Sequence, residues 1–248
     1  MIDLDGTVIQ GDVAIPGAER AIAALRAARI PFRFTTNTTR HPRSTIVSRL
    51  RAQGIEVAVD EIVTPPVAAA SWLRERGAHR VLLLLPAVGR AEFEGFELDG
   101  AQPEYVVVGD LGAEWTFERL NGAFRALESG ARLVALHRNR YWDPGDGILL
   151  DAGAFVAALE YATEQEAVLV GKPNPNFFHA AAAGLGAPIE RVAVVGDDLE
   201  SDVAGAHAAG CVAVAVRTGK FRDETSTAPD AILDSIADLP RWLGIPGS

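Results

Sequence analysis

The sequence is poor in sulfur. Cys211 is the single cysteine among 248 residues, so neither an intramolecular disulfide nor a cysteine-ligated metal cluster can form. It lacks a basic excess: 33 Asp and Glu stand against 23 Lys and Arg, a net charge of −10. Binding nucleic acid through phosphate neutralisation needs a basic face, and this balance argues against that class. It lacks a long apolar run. The strongest stretch, 81–85, is closed by Pro86, far short of the roughly 18 residues of a membrane-spanning helix. The first residues lack the pattern of an export signal, because Asp3 and Asp5 stand where its apolar stretch would begin. The expectation is a cytoplasmic protein that contacts neither membrane nor nucleic acid. Internal repeats, low-complexity tracts and Gly/Ser linkers are also missing.

What is there is ordinary globular composition, 48% hydrophobic and 23% charged, too apolar for a disordered chain. The length suits one or two domains. Short apolar runs rich in β-branched residues predict buried strands at 31–34, 81–85, 105–108, 132–136, 168–170, 192–195 and 212–216. Helical spacing fills the gaps. The stretch 18–28 is amphipathic, 42–53 sets Ile46, Val47 and Leu50 on one face, 115–129 groups Leu120, Phe124 and Leu127, and 174–184 opens on Asn-Pro, a cap followed by a good first-turn residue. Such alternation predicts a parallel α/β sheet covered on both faces.

Four stretches carry chemistry. Asp3-Leu4-Asp5-Gly6-Thr7 closes the apolar start. Two carboxylates then sit at the carboxyl end of a strand, where open α/β sheets bind ligands, and Gly6 lets the backbone approach a ligand closely. An acidic turn would use Asp and Gly in the same way. Phe34-Thr35-Thr36-Asn37-Thr38-Thr39 runs a strand into hydroxyls and an amide, neutral donors suited to phosphate oxygens; Thr38 or Thr39 alone would serve equally as a helix cap. Lys172 directly follows a predicted strand and is fixed by Pro173. An ammonium there would meet an acidic cluster or an anion, and a solvated loop lysine is the plain alternative. The stretch is not a Walker A loop, because Pro173 stands where Ser or Thr is required.

In the fourth stretch, the strand ending at Gly196 empties into Asp197 and Asp198, with Glu200 and Asp202 beyond. Adjacent acids repel unless a cation or a lysine compensates them. Oxygen ligands with few histidines suggest a hard ion, Mg²⁺ where phosphate is the substrate. Helix capping and dipole complementation account for Asp198 or Glu200 singly, but not for the group. Co-occurrence favours one site, since all four stretches follow predicted strands and would share one edge of one sheet. Neutral donors, a lysine and several carboxylates are what phosphoryl transfer requires.

These residues resemble the motifs of the haloacid dehalogenase-like (HAD) hydrolases. Asp3-Leu4-Asp5-Gly6-Thr7 looks like the first motif, and Thr36, Lys172 and Gly196-Asp197-Asp198 with Asp202 match the second, third and fourth in order. The long insert between Thr36 and Lys172 resembles the class IIA, NagD-like branch. The stretches 137–142, 155–163, 170–178, 196–205 and 217–222 are similar to members of that branch, so the match covers nearly the whole chain.

The resemblance implies a Rossmann-like parallel-sheet core with an inserted α/β C2-type cap: core at 1–78, cap at 79–166, core again at 167–248. It implies a Mg²⁺-dependent phosphatase acting on small phosphorylated molecules through an aspartyl phosphate. Asp3 would be the nucleophile, and Asp5 would protonate the leaving oxygen and then activate water. Asp3, the Asp5 carbonyl and Asp197 would bind Mg²⁺, Asp202 would orient water around the ion, and Asp198 would assist. Thr36 and Lys172 would hold the phosphoryl oxygens, with Asn37 nearby. Family dehalogenases lack the second acid, so Asp5 argues for phosphatase chemistry. Only Met1 and Ile2 precede Asp3, against about five residues in a typical strand, which predicts a stunted strand or a start upstream of Met1.

The cap would close over the core and exclude water. In its loop 137–142, Arg138 and Arg140 would suit an anionic leaving group and Tyr141 and Trp142 a planar one. Cap packing by the aromatics, solvated arginines and a core histidine at His137 explain the loop equally well. Phosphorylated amino acids, pyrophosphate, sugar phosphates and pyridoxal phosphate all stay open as substrates. Branch members often pair through their caps, and an apolar helix such as the one with Phe124 and Leu127 would serve as a homodimer face or equally be buried internally. A different class of function is a non-catalytic phosphate-sensing module on the same scaffold. Asp5 argues against it, because a sensor gains nothing from a group that speeds dephosphorylation. Dinucleotide binding is excluded: Gly184-Leu185-Gly186 precedes a strand, and Ile189 stands where the last glycine is needed.

Overall fold

A computed structural model describes residues 1–39, 41–142, 149–222 and 227–245. The chain divides into two compact units. One comprises Met1–Thr36, Arg43–Thr64 and Lys172–Ser248; the other comprises Asn37–Pro42 and Pro65–Gly171.

The first unit is built on a six-stranded sheet in the order Ala231–Leu233, Val212–Val216, Ala193–Gly196, Ile2–Asp3, Phe34–Thr35, Ile62–Val63. All neighbours are parallel. Val212–Val216 reads Val-Ala-Val-Ala-Val and is almost wholly buried, the unbroken apolar composition that a sheet covered on both faces demands. Ile2 pairs with Val195 on one side and Phe34 on the other. The chain therefore leaves the central strand in one direction and returns on its opposite flank. Crevices at the carboxyl ends of strands form at such a reversal. Helix Ala18–Ala27 buries Ala21, Ile22 and Leu25, and helix Arg43–Ala52 buries Ile46, Val47 and Leu50. Both faces join Phe34, Ile62, Val195 and Val214 in one core.

The second unit has its own parallel sheet of five strands, in the order Val168–Leu169, Arg132–Ala135, Tyr105–Val108, Arg80–Leu84, Glu97–Leu98. Strand residues alternate between its two faces. Val107 and Val134 pack with Trp72 and Leu73 of helix Pro65–Glu75. Val106, Val108 and Leu133 pack with Leu127 of helix Phe117–Glu128 and with Val156 and Leu159 of helix Ala152–Thr163.

Several expectations change. The changeovers expected at 79 and 166 fall inside the second unit, because helix Pro65–Glu75 covers its sheet and Val168–Leu169 is its edge strand. The strand before Lys172 consequently belongs to the second sheet, so the four chemical stretches do not all follow strands of one sheet. The strand expected at 31–34 is Phe34–Thr35; Pro31 has no N–H to give a ladder. Leu127 is 2% exposed and Phe124 packs against the same core, so these two residues do not form an outer pairing face. Strands Ile62–Val63 and Ala231–Leu233 and the hairpin Ile9–Gln10 with Val13–Ala14 were not foreseen. Among the described residues, no helix is long and apolar enough to cross a membrane.

Candidate active site

Asp3 ends the central strand and is buried. The Lys172 ammonium, itself buried, donates to Asp3 Oδ1 at 2.5 Å and to Asp202 Oδ1 at 2.7 Å. One cation thus ties two carboxylates from opposite ends of the sequence. Lys172 lies directly before helix Pro175–Ala182, where Asn174 Oδ1 accepts from the Asn176 N–H and proline opens the first turn. Asp202 reaches Lys172 from a wide turn of helix, Leu199–Ala204. There the Asp198 carbonyl accepts from the N–H groups of both Asp202, at 2.8 Å, and Val203, at 3.3 Å. Widened turns of this π type recur at functional sites.

Asp197 follows the strand beside Asp3. The Lys220 main-chain N–H donates to its Oδ2 at 2.6 Å and the Thr7 hydroxyl to its Oδ1 at 3.3 Å. Gly6 lies against this carboxylate with φ +89°, and a Cβ there would fall 2.2 Å from Asp197 Oδ2. The turn therefore demands glycine on both conformational and steric grounds. Asp198 faces elsewhere. Its Oδ1 accepts from the N–H groups of Glu200 and Ser201, and its Oδ2 from the Lys220 ammonium at 3.2 Å. It is a helix cap.

Burial pushes the Asp3 carboxyl up to about 6; Lys172 pulls it back, while Asp197 and Asp5 add to the rise. Burial likewise takes Asp202 up to about 7, against the pull of Lys172 and with a further push from Asp3. Asp197 is raised by burial and by Asp202, against the Lys220 N–H. Burial alone would lower the Lys172 ammonium, but Asp202 and Asp3 outweigh it and hold it above the ordinary lysine range. Burial would raise Asp198, but the Ser201 N–H and the Lys220 ammonium outweigh it and hold it low.

Asp3, Asp197 and Asp202 each offer an oxygen, all within 4.8 Å of one another. The Lys172 ammonium is bonded to Asp3 and Asp202, whereas Asp197 is bonded to the neutral Thr7 hydroxyl and Lys220 N–H, so three carboxylates share one directly bonded cation. A set of carboxylate oxygens with excess negative charge fits a hard divalent cation such as Mg²⁺.

The Thr36 hydroxyl is buried and donates to Asp5 Oδ2 at 3.4 Å; Asp5 itself is exposed. The first unit thus brings Asp3, Asp5, Thr36, Lys172, Asp197 and Asp202 together. Asn37, Arg138 and Arg140 belong to the second unit. Arg138 donates to Glu160 Oε1 at 2.5 Å and to the Ala167 carbonyl at 3.4 Å, and Arg140 is exposed. His137 is buried beside Thr39 and Asp151, the environment of a core histidine. Tyr141 is half exposed, and the Trp142 side chain lies outside the described residues. Sequence reasoning gave no role to Thr7 or to the turn Thr218-Gly219-Lys220. The available signal was strand Val212–Val216 running out into a hydroxyl and a glycine at the same sheet edge.

Fold and site together define a class: a phosphoryl-handling α/β hydrolase with an inserted second unit. A family model of the haloacid dehalogenase-like hydrolases matches residues 1–99, and a HAD-hydrolase-like model matches residues 169–239. The chain is 40% identical over 235 residues to haloacid dehalogenase-like hydrolase domain-containing protein 2 of Homo sapiens, covering 94% of this chain and 90% of that one. It is 34% identical over 244 residues to the phospholysine phosphohistidine inorganic pyrophosphate phosphatase of Homo sapiens, covering 96% and 89%. Among solved structures it is similar to a p-nitrophenyl phosphatase from Archaeoglobus fulgidus, with TM-score 0.89 and 29% identity over 98% of this chain and 97% of that one. It is similar also to NagD from E. coli K-12, with TM-score 0.88 and 25% identity over 96% of each chain. The chain belongs to the haloacid dehalogenase-like hydrolases. It is a hydrolase of the HAD phosphatase type, with a HAD core and an inserted cap.

Proposed function

We propose that this protein is a Mg²⁺-dependent phosphatase of small phosphorylated molecules, working in the cytoplasm through an aspartyl phosphate on Asp3. The observation that carries the reading is the buried cluster in which Lys172 holds Asp3 and Asp202 while Asp197 adds a further carboxylate. Asp3, Asp197 and the Asp5 carbonyl would hold the cation, with Asp202 behind them. A bound Mg²⁺ supplies neutralisation of charge on the phosphoryl group in flight.

The chain's own groups do the rest. An Asp3 carboxylate oxygen attacks phosphorus and forms a P–O bond as the bond from phosphorus to the leaving oxygen breaks; the Asp5 carboxyl delivers its proton to that oxygen. Asp5, now a carboxylate, takes a proton from water. The water oxygen attacks phosphorus, the bond to Asp3 breaks, and inorganic phosphate and the Asp3 carboxylate are regenerated. Thr36, whose hydroxyl contacts Asp5, holds the phosphoryl oxygens together with Lys172. The Lys172 ammonium lies against Asp3, where it attracts an anionic substrate and lowers the repulsion between carboxylate and phosphate.

The test is phosphate release from p-nitrophenyl phosphate. Wild type with Mg²⁺ turns over, and chelated protein does not. Asp3→Asn loses roughly three orders of magnitude or more of kcat, and Asp5→Asn about 10²–10⁴-fold. Full activity in Asp3→Asn, or a stable aspartyl phosphate without turnover in wild type, sinks the reading. The relatives' names set the order of a substrate panel: P–N phosphoamino acids and pyrophosphate first, then sugar phosphates and pyridoxal phosphate.

A further inference from the structure

We propose that Thr218 and Gly219, on the turn leaving strand Val212–Val216, are positioning residues that hold Asp197 and the Asp5-Gly6 turn in the arrangement that takes the divalent cation. The proposal rests on the phosphatase reading and extends it to residues with no assigned role. Three segments meet here. The Thr218 hydroxyl donates to the Gly6 carbonyl at 2.5 Å, and the Lys220 main-chain N–H donates to Asp197 Oδ2 at 2.6 Å. Between them, Gly219 has φ +61°, and a Cβ there would fall 2.0 Å from Asp197 Oδ2 and 2.7 Å from the Gly6 Cα. The turn thus lies in contact with both neighbours at once, and only glycine fits between them.

The chemistry of the donors favours a metal-orienting role over simple packing. Asp197 receives its hydrogen bonds from neutral groups, the Thr7 hydroxyl and the Lys220 N–H. The cation on the same turn, the Lys220 ammonium, is directed to Asp198 instead. Neutral donors fix the orientation of a carboxylate without cancelling its charge, whereas an ammonium on Asp197 would compete with a divalent ion. Thr218 acts on the other half of the arrangement. By fixing the Gly6 carbonyl it fixes the Gly6–Thr7 peptide, next along the chain from the Asp5–Gly6 peptide, and with it the turn carrying Asp5. The Lys220 N–H is bonded to a ligand, and Thr218 to the turn that carries one; groups that orient ligands in this way typically cost metal binding about 10–100-fold when lost.

The experiment measures Mg²⁺ binding to the full chain by calorimetry, alongside Mg²⁺ titrations of p-nitrophenyl phosphate hydrolysis. Thr218→Val keeps the shape and removes the hydroxyl. It is expected to raise the Mg²⁺ dissociation constant about 10–100-fold while kcat at saturating Mg²⁺ changes much less, a split that a general loss of structure would not give. Thr218→Ser restores binding, and Gly219→Ala weakens it at least as much as Thr218→Val. Wild-type Mg²⁺ affinity in Thr218→Val, in a protein whose parent binds Mg²⁺ and turns over, overturns the positioning role and leaves the phosphatase reading standing. A parent that binds no Mg²⁺ and hydrolyses without it overturns the reading underneath.

Discussion

At the scale of the residue, Lys172 shows how much one side chain supports. Its ammonium is the shared partner of Asp3 and Asp202, and it also lies 6.0 Å from the centre of the Phe177 ring. Lys172→Met leaves two buried carboxylates facing each other, and removing one partner of a buried ion pair costs about 3–5 kcal/mol. Urea unfolding should show a loss of that size, together with loss of phosphatase activity; an unchanged midpoint would contradict the role given to the ammonium. The acids themselves were legible in the sequence, since carboxylates at the ends of apolar strands need a compensating charge. That Lys172 follows a strand of the other sheet was not legible, because a strand as short as Val168–Leu169 carries no sign of which neighbour it joins. The Asp197 partners escaped for a related reason: a main-chain N–H such as that of Lys220 leaves no mark in composition.

At the scale of the element, Asp198 and Asp197 stand side by side yet do different work. Asp198 caps the turn Leu199–Ala204 through the N–H groups of Glu200 and Ser201. Asp198→Ala should therefore lower stability by about 1 kcal/mol and retain measurable phosphatase activity, while Asp197→Ala should abolish Mg²⁺-dependent turnover. Equal loss of activity in both would remove the distinction. A second element-scale contact joins helix Ala18–Ala27 to the turn Val59–Glu61, where both Arg26 terminal nitrogens donate to Glu61, at 2.7 and 2.6 Å. Burial would raise the Glu61 carboxyl, but the hydrogen bonds from Arg26 and from the Ala58 N–H outweigh it and hold it below its usual 4.5. A carboxylate lowered by folding stabilises the folded state above its unfolded value, and that stabilisation fades as the pH falls through the folded one. Glu61→Gln should thus melt below wild type at pH 7, with the gap closing as the pH falls below 4.5 and through the lowered folded value. A gap that persists in acid would assign the effect to packing.

At the scale of the whole molecule, alternating strands and helices revealed the α/β class, but not where one unit gives way to the other. Helix Pro65–Glu75 reads as an ordinary amphipathic helix, and nothing in its pattern says which sheet its Trp72 and Leu73 cover. Because the second unit has its own sheet and apolar layers on both faces, the isolated fragment 65–171 should unfold in a single cooperative transition by circular dichroism. A non-cooperative melt would show that the unit depends on the rest of the chain. The interleaving of segments also sets an order of assembly. On the ribosome, residues 65–171 emerge complete, whereas Ile2–Asp3 has to wait for Ala193–Gly196, its neighbour on one side. At roughly 5–20 residues per second, the nascent polypeptide holds one edge of Ile2–Asp3 unpaired for many seconds, until translation has passed Gly196.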